Sequence, residues 1–263
     1  MSRLKNVFTG KKNGSVMSLY ITAGYPEKSA TVDLVLDLEK AGADIIELGM
    51  PFSDPLADGP TIQYASDVAI NNGVDLVSIF EMVKEIRKSS KIPLVLMGYI
   101  NPILHYGLEK FCKDAGECGA DGLIIPDVPL EESEEIQSLA NQNGLDVIYL
   151  VAPNSKDDRM RRVDSLSTGF VYCVSVTGVT GARAGNEVAN SVAKFKDRVK
   201  ANVTKNPIMI GFGIKSASDA KEIAGDVDGF IVGSALIEVI RQSFPSTDWK
   251  EKTIDFVKSL KYS

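Results

Sequence analysis

Ala41-Gly42-Ala43-Asp44-Ile45-Ile46-Glu47-Leu48-Gly49 closes one element and opens another. Small residues and a glycine end a helix, the aspartate turns the chain, and an apolar run enters a strand. The layout returns in Gly119-Ala120-Asp121-Gly122-Leu123-Ile124 and in Asp226-Val227-Asp228-Gly229-Phe230-Ile231. Working outward, short apolar runs predict strands over Met17–Thr22, Asp44–Gly49, Pro93–Gly98, Gly122–Pro126, Val147–Ala152, Gly169–Ser175, Pro207–Gly211 and Gly229–Gly233. Between them lie predicted helices over Ser29–Ala41, Leu76–Ser89, Leu108–Gly116, Glu131–Asn143, Asp157–Leu166, Glu187–Lys200, Ser216–Ala224 and Ala235–Gln242, with one more over Trp249–Leu260. Leu34, Val35, Leu38 and Ala41 show the spacing of a one-sided helix. The strands are rich in Val, Ile and Leu, as expected where both faces are covered. Eight strand–helix units without a linker favour an α/β fold of the TIM (β/α)8-barrel type, a single domain over 1–263 with extra helices. An open doubly wound sheet is the competing arrangement. Asp44, Asp121 and Asp228 stand where strands begin, away from the end at which barrel sites gather, and read as structural.

Within the opening stretch, Glu47 is the anomaly. Side chains alternate along a strand, so if Ile46 and Leu48 face one layer of core, Ile45 and Glu47 face the other. A carboxylate buried without a partner is costly, and its pKa shifts until it is neutral. Eleven residues on, Asp58 lies in the loop Met50-Pro51-Phe52-Ser53-Asp54-Pro55-Leu56-Ala57-Asp58-Gly59-Pro60. A buried acid beside a loop rich in acids points to proton chemistry.

Barrel sites form at the carboxyl ends of strands, which selects Glu47, the 50–60 loop, Asn101, Asp127, the 175–186 loop, Gly211–Gly213 and Gly233–Ser234. Gly211-Phe212-Gly213-Ile214-Lys215-Ser216 follows the seventh strand, and Gly233-Ser234 follows the eighth and opens a helix. Glycine lets backbone N–H groups approach an anion and a helix start adds positive partial charge, so this pair suits a phosphate. The polar stretch Ser175–Gly185 reads as a lid. Asp54 reads as a turn-former, Asp58 as functional, Cys173 as core and His105 as a packing or capping residue; Asp127 could orient a loop or react.

Composition excludes several classes. A net charge of -6 without a basic block argues against nucleic acid. The amino-terminal stretch lacks a signal-type apolar run, and nothing approaches a membrane span. Three cysteines without Cys-x-x-Cys spacing fit a reducing cytoplasm, and a single histidine argues against a His-rich metal site; no metal is expected.

The run Ile46 to Gln63 resembles the signature of the tryptophan synthase alpha chain family. The likeness extends through Tyr20-Ile21-Thr22-Ala23-Gly24-Tyr25-Pro26, Asp127-Val128-Pro129, Gly178-Val179-Thr180-Gly181, Gly211-Phe212-Gly213-Ile214 and Gly233-Ser234, nearly the whole chain. It implies a TIM barrel that cleaves indole-3-glycerol phosphate to indole and glyceraldehyde 3-phosphate. Indole then passes to a beta chain, in an expected alpha2-beta2 heterotetramer, and pyridoxal phosphate belongs to that partner rather than to this chain. The resemblance places the catalytic acids at Glu47 and Asp58. It puts Tyr172 in the site, Thr180 in the lid against Asp58, and phosphate contacts at Gly181, Gly213, Gly233 and Ser234. Tyr20, Met97 and Ile124 match apolar pocket positions. Val176 stands where many relatives carry Arg, a departure confined to the lid. On the residues alone, a phosphate-binding regulatory subunit and another sugar-phosphate barrel enzyme are the competing readings.

Overall fold

The structure, a computed structural model, describes residues 2–10, 15–174, 186–211 and 213–261; the side chains of 186–190 and 224 are outside the description. Eight strands form a closed barrel in chain order: β1 (Val16–Thr22), β2 (Ile45–Gly49), β3 (Leu94–Met97), β4 (Gly122–Ile124), β5 (Asp146–Val151), β6 (Val171–Val174), β7 (Ile208–Gly211) and β8 (Gly229–Val232). All are parallel, and closure is made by β8 on β1, with Val16 opposite Gly229 and Leu19 opposite Val232. The open-sheet alternative is thereby excluded, because a closed barrel leaves no edge. Around the barrel run α1 (Arg3–Gly10), α2 (Ala30–Ala41), α3 (Pro60–Asn71), α4 (Leu76–Arg87), α5 (Ile100–Tyr106), α6 (Leu108–Cys118), α7 (Glu134–Gln142), α8 (Asp157–Leu166), α9 (Asn186–Asn202), α10 (Ala217–Ala224), α11 (Ser234–Ser243) and α12 (Trp249–Ser259).

Strand alternation builds two layers. Outward residues such as Leu19, Ile46, Leu48, Leu94, Leu96 and Val232 pack against the helices in one large cluster. Inside the barrel sits a second cluster of Val16, Ile45, Val95, Ile124, Ile148, Phe170, Met209 and Ile231, joined by Leu4 from α1. Leu4 is fully buried. Burying a leucine contributes roughly 2 kcal/mol, so α1 is part of the core.

Three helices go beyond the sequence expectation. The sequence pattern marks no helix at α1, where Leu4 is the one buried residue among those described, nor at α3 and α5. Pro60 sits in the first turn of α3 and Pro102 in that of α5, where proline is tolerated because those N–H groups have no helical partner. The helix expected over Glu131–Asn143 begins instead at Glu134, after a 3-10 turn over Leu130–Glu132.

The repeated aspartates perform one task at the amino end of the barrel. The Asp44 carboxylate accepts the Met17 N–H at 2.8 Å, Asp121 that of Leu94 at 2.8 Å, and Asp228 that of Ile208 at 2.8 Å. Each ties the start of its own strand to the start of its neighbour. Asp121 also pairs with Arg3 and Arg87, both at 2.7 Å.

Candidate active site

Glu47 is the third residue of β2, on the same face as Ile45, which belongs to the cluster inside the barrel. Its side chain therefore points inward, and it is fully buried. The Ser18 hydroxyl, from β1, donates to Oε1 at 2.8 Å. Oε2 has no hydrogen-bond partner among the described residues. Burial raises the carboxyl pKa to about 7, against the opposing pull of the Ser18 bond. Both the protonated and the ionised forms are thus available near neutrality.

Asp58 comes from the loop after β2. That loop is folded back by the Asp58 N–H to the Pro55 carbonyl at 3.1 Å and by the Gln63 side-chain amide to the Asp58 carbonyl at 2.9 Å. The loop leans on Tyr99, whose hydroxyl accepts the Ala57 N–H at 3.0 Å and whose ring lies 5.5 Å from that of Phe52. Burial raises the Asp58 carboxyl above its ordinary value, and a hydrogen bond with the Tyr99 hydroxyl works against this.

Tyr20 and Tyr172 tie the two acids to one place. Burial raises both hydroxyl pKa values, and the charges of Glu47 and Asp58 raise both further, so both acids lie within electrostatic reach of both hydroxyls. The strand ends are cut back to admit those rings. A Cβ at Gly49 would lie 2.2 Å from the Tyr20 hydroxyl, and one at Gly211 would lie 2.9 Å from that of Tyr172. Met97, partly buried, and Ile124, fully buried, pack with the inner cluster and line the same interior.

At the same end, Gly213 takes a left-handed backbone with φ of +47°, which turns the chain after β7. Gly233 caps α11 without a side-chain bond, and Ser234 is the first helical residue. The neighbouring α10 differs, because the Ser216 hydroxyl accepts the Asp219 N–H at its start. No side-chain cap at Gly233 occupies the N–H groups of the first turn of α11, which suits an anion there. Thr180, Gly181 and Val176 lie outside the described residues.

Other candidates resolve differently. The Asp127 carboxylate accepts the Ile100 N–H at 3.0 and 3.3 Å and so fixes the start of α5. Asp54 is exposed and bonded to Ser53. His105 is exposed in the last turn of α5, and Cys173 is buried in the outer layer. Asn101 is exposed near the start of α5. Among the described residues no group of three or more His, Cys, Asp or Glu is arranged to hold a metal, and no helix is long and apolar enough to cross a membrane. A surface cleft of about 400 Å³ lies apart, lined by Glu131, Lys156, Asp158, Arg159 and Arg162 among others; neither Glu47 nor Asp58 borders it.

Two residues that sequence reading passed over are Ser18 and Tyr99. Each lies two positions from a residue it singled out, Ser18 before Tyr20 and Tyr99 after Met97.

The family described as tryptophan synthase alpha chain matches over residues 8–261. A tryptophan synthase alpha chain from Geotalea uraniireducens (strain Rf4) is 45% identical over 263 residues, covering 99% of this chain and 97% of the relative. The crystal structure of tryptophan synthase subunit alpha from Legionella pneumophila str. Paris superposes with a TM-score of 0.89 at 36% identity, covering 99% of this chain and 97% of that one. A chain of the tryptophan synthase complex from Pyrococcus furiosus superposes with a TM-score of 0.83 at 34% identity, covering 93% and 97%.

Proposed function

The chain belongs to the tryptophan synthase alpha chain family, and from that premise we propose that Glu47 and Asp58 carry its chemistry. The reaction is the aldolase-type cleavage of indole-3-glycerol phosphate to indole and glyceraldehyde 3-phosphate. Direct cleavage would expel an indole carbanion from C3. Protonation at C3 first turns the ring into an indoleninium, which accepts the electron pair of the breaking bond. The hydroxyl on the adjacent glycerol carbon then loses its proton as the aldehyde forms. One carboxyl group gives the first proton and takes the second, so it ends as it began.

Glu47 fits that role because Oε2, without a partner among the described residues, is presented inside the barrel by a group whose pKa is about 7. This observation carries the reading. As C3 is protonated, the ring N–H becomes more acidic, and Asp58 accepts its hydrogen bond and stabilises the growing positive charge. Tyr20, Met97, Ile124 and Tyr172 enclose the indole. The phosphate binds the backbone N–H groups at Gly213, Gly233 and Ser234, which fixes the substrate's far end. Gly181 is a further phosphate contact in this reading, and Thr180 is the lid residue toward Asp58.

The partner in this reading is a tryptophan synthase beta chain, in an alpha2-beta2 assembly, receiving indole and holding the pyridoxal phosphate of the second reaction. The complex from Pyrococcus furiosus supports a multichain assembly. We place the chain in the cytoplasm, where Cys112, Cys118 and Cys173, all buried and free, would stay reduced.

Indole release from the isolated chain tests the assignment. The unaltered chain should release indole from indole-3-glycerol phosphate, and Glu47→Gln should bind the substrate without cleaving it. Normal turnover by Glu47→Gln would remove Glu47 from the mechanism. Mixing with a beta chain should raise indole turnover and give a single larger species on sedimentation; two unchanged species would refute the partner assignment.

A further inference from the structure

Val16 of β1 belongs to the inner cluster, so alternation sends Ser18, Tyr20 and Thr22 to the same face, while Met17, Leu19 and Ile21 face the helices. Ser18 is the odd member. It is fully buried beside an aliphatic layer, paired in register with Ile45 of β2 and Ile231 of β8. A Val or Ile would suit that layer, and a buried hydroxyl without a partner is costly. Its described partner is the Glu47 carboxyl, to which it donates at 2.8 Å from one layer nearer the base.

We propose that Ser18 is a positioning residue for the cleavage reaction, holding Oε1 of Glu47 so that Oε2 is the oxygen that exchanges protons with the substrate. The proposal rests on the acid–base reading of Glu47 given above.

A carboxyl group has two oxygens, and a shuttle works only if the proton sits on the one that faces the reacting atoms. When Glu47 is ionised, Oε1 accepts the Ser18 hydrogen bond as a carboxylate oxygen. When Glu47 is protonated on Oε2, Oε1 is a carbonyl oxygen and accepts the same bond. The serine therefore keeps one geometry through both halves of the cycle, whereas a proton on Oε1 would require its hydroxyl to turn from donor to acceptor. The bond also restrains rotation of the carboxyl plane, which keeps Oε2 aimed into the site. Its strength is greater toward the ionised form, so it opposes the upward push of burial. The other titratable groups within electrostatic reach of this carboxyl among the described residues are Tyr20 on β1 and Tyr172 on β6, and Asp58, from the loop after β2, acts on the same two hydroxyls. Both tyrosines are held neutral by burial, so the titration that Ser18 influences belongs to Glu47, where burial and the Ser18 bond oppose each other.

The test compares the full chain carrying Ser18→Ala or Ser18→Thr with the unaltered chain, following indole release across pH and the Glu47 carboxyl by 13C NMR. Ser18→Ala should lower kcat about tenfold with KM nearly unchanged, because Ser18 does not touch the substrate. It should also move the alkaline limb of the rate profile, and the NMR midpoint of Glu47, upward by about one pH unit. Ser18→Thr, which keeps the hydroxyl, should restore most of both. An unmoved profile and midpoint in folded Ser18→Ala would overturn the proposal. So would a fall in kcat that Ser18→Thr fails to rescue, since that is the behaviour of a packing residue. Should Ser18→Ala not fold, Ser18→Val supplies a hydroxyl-free chain with the volume of the surrounding layer and the same two outcomes. An active Glu47→Gln control would refute the shuttle itself, whereas an inactive control beside an unmoved Ser18→Ala would refute Ser18 alone.

Discussion

The two ends of the barrel use the same side-chain chemistry in opposite ways. At the base, carboxylates are tied down. Both Asp121 oxygens are occupied, one by Arg3 and the other by Arg87 and the Leu94 N–H, although burial still leaves this carboxyl above its ordinary value. Burial alone would raise Asp164, yet bonds from Thr204, Asn206 and Lys205 hold it below the ordinary range. At the mouth, Glu47 is as deeply buried as any residue in the core, and one of its oxygens has no partner among the described residues. Asp58 is raised too, with the Tyr99 hydroxyl as its opposing bond. Pairing and backbone donors mark an acid that holds the fold together; an inward-facing, partly unsatisfied acid marks one held ready for protons.

The largest effect that can break this contrast lies at Glu47. Its replacement by Gln should lower kcat roughly 10³-fold while making the folded chain more stable at alkaline pH. The sign follows from the shift. The folded-state pKa of about 7 lies above the unfolded value, so folding retains a proton that the unfolded chain releases. Stability is therefore greatest below the unfolded pKa, near 4. It falls as pH rises toward 7 and then levels off. Glu47→Gln abolishes that fall, worth about 3 kcal/mol, and urea unfolding at pH 4 and pH 8 reads it. Asp58→Asn should cost on the order of 10²-fold in kcat with a modest change in KM; an unchanged kcat with poor affinity would make Asp58 a binding residue.

Substitutions at the base should do the reverse. Asp121→Ala strands two guanidinium groups and should destabilise the chain by about 3 kcal/mol, leaving kcat of the folded fraction intact. Asp164→Ala should cost about 2 kcal/mol. Its folded-state pKa is depressed, so that loss should be full above the unfolded value and shrink as pH falls through the folded one. The smallest effect sharpens the mouth. Tyr99→Phe removes the donor that favours ionised Asp58, so the acid limb of kcat/KM should move to higher pH, with kcat down about threefold.

Much of the fold can be read from residue patterns because parallel strands buried on both faces appear as short Val/Ile/Leu runs bounded by Gly and Asp. The inward orientation of Glu47 follows from alternation with Ile46 and Leu48, both of which pack outward. The helices α1, α3 and α5 are hard to read for local reasons: the first is short, although Leu4, Val7 and Phe8 keep helical spacing, and each of the others carries a proline in its first turn. Ser18 and Tyr99 were hidden for a different reason. Their partners are set by register and loop closure, since Tyr20 rather than Ser18 stands opposite Glu47 in the ladder and Tyr99 lies beyond the end of β3. A serine in a strand or a tyrosine in a loop carries no mark of the acid it will meet.

The most direct test is the titration of the Glu47 carboxyl carbon in the unaltered chain, set beside kcat/KM measured over the same pH range. The carbon should titrate near pH 7, and the alkaline limb of kcat/KM should fall at that midpoint, because the first step needs Glu47 to hold its proton. A midpoint near 4, with activity undiminished well above 7, would contradict the assignment of Glu47 as the proton carrier.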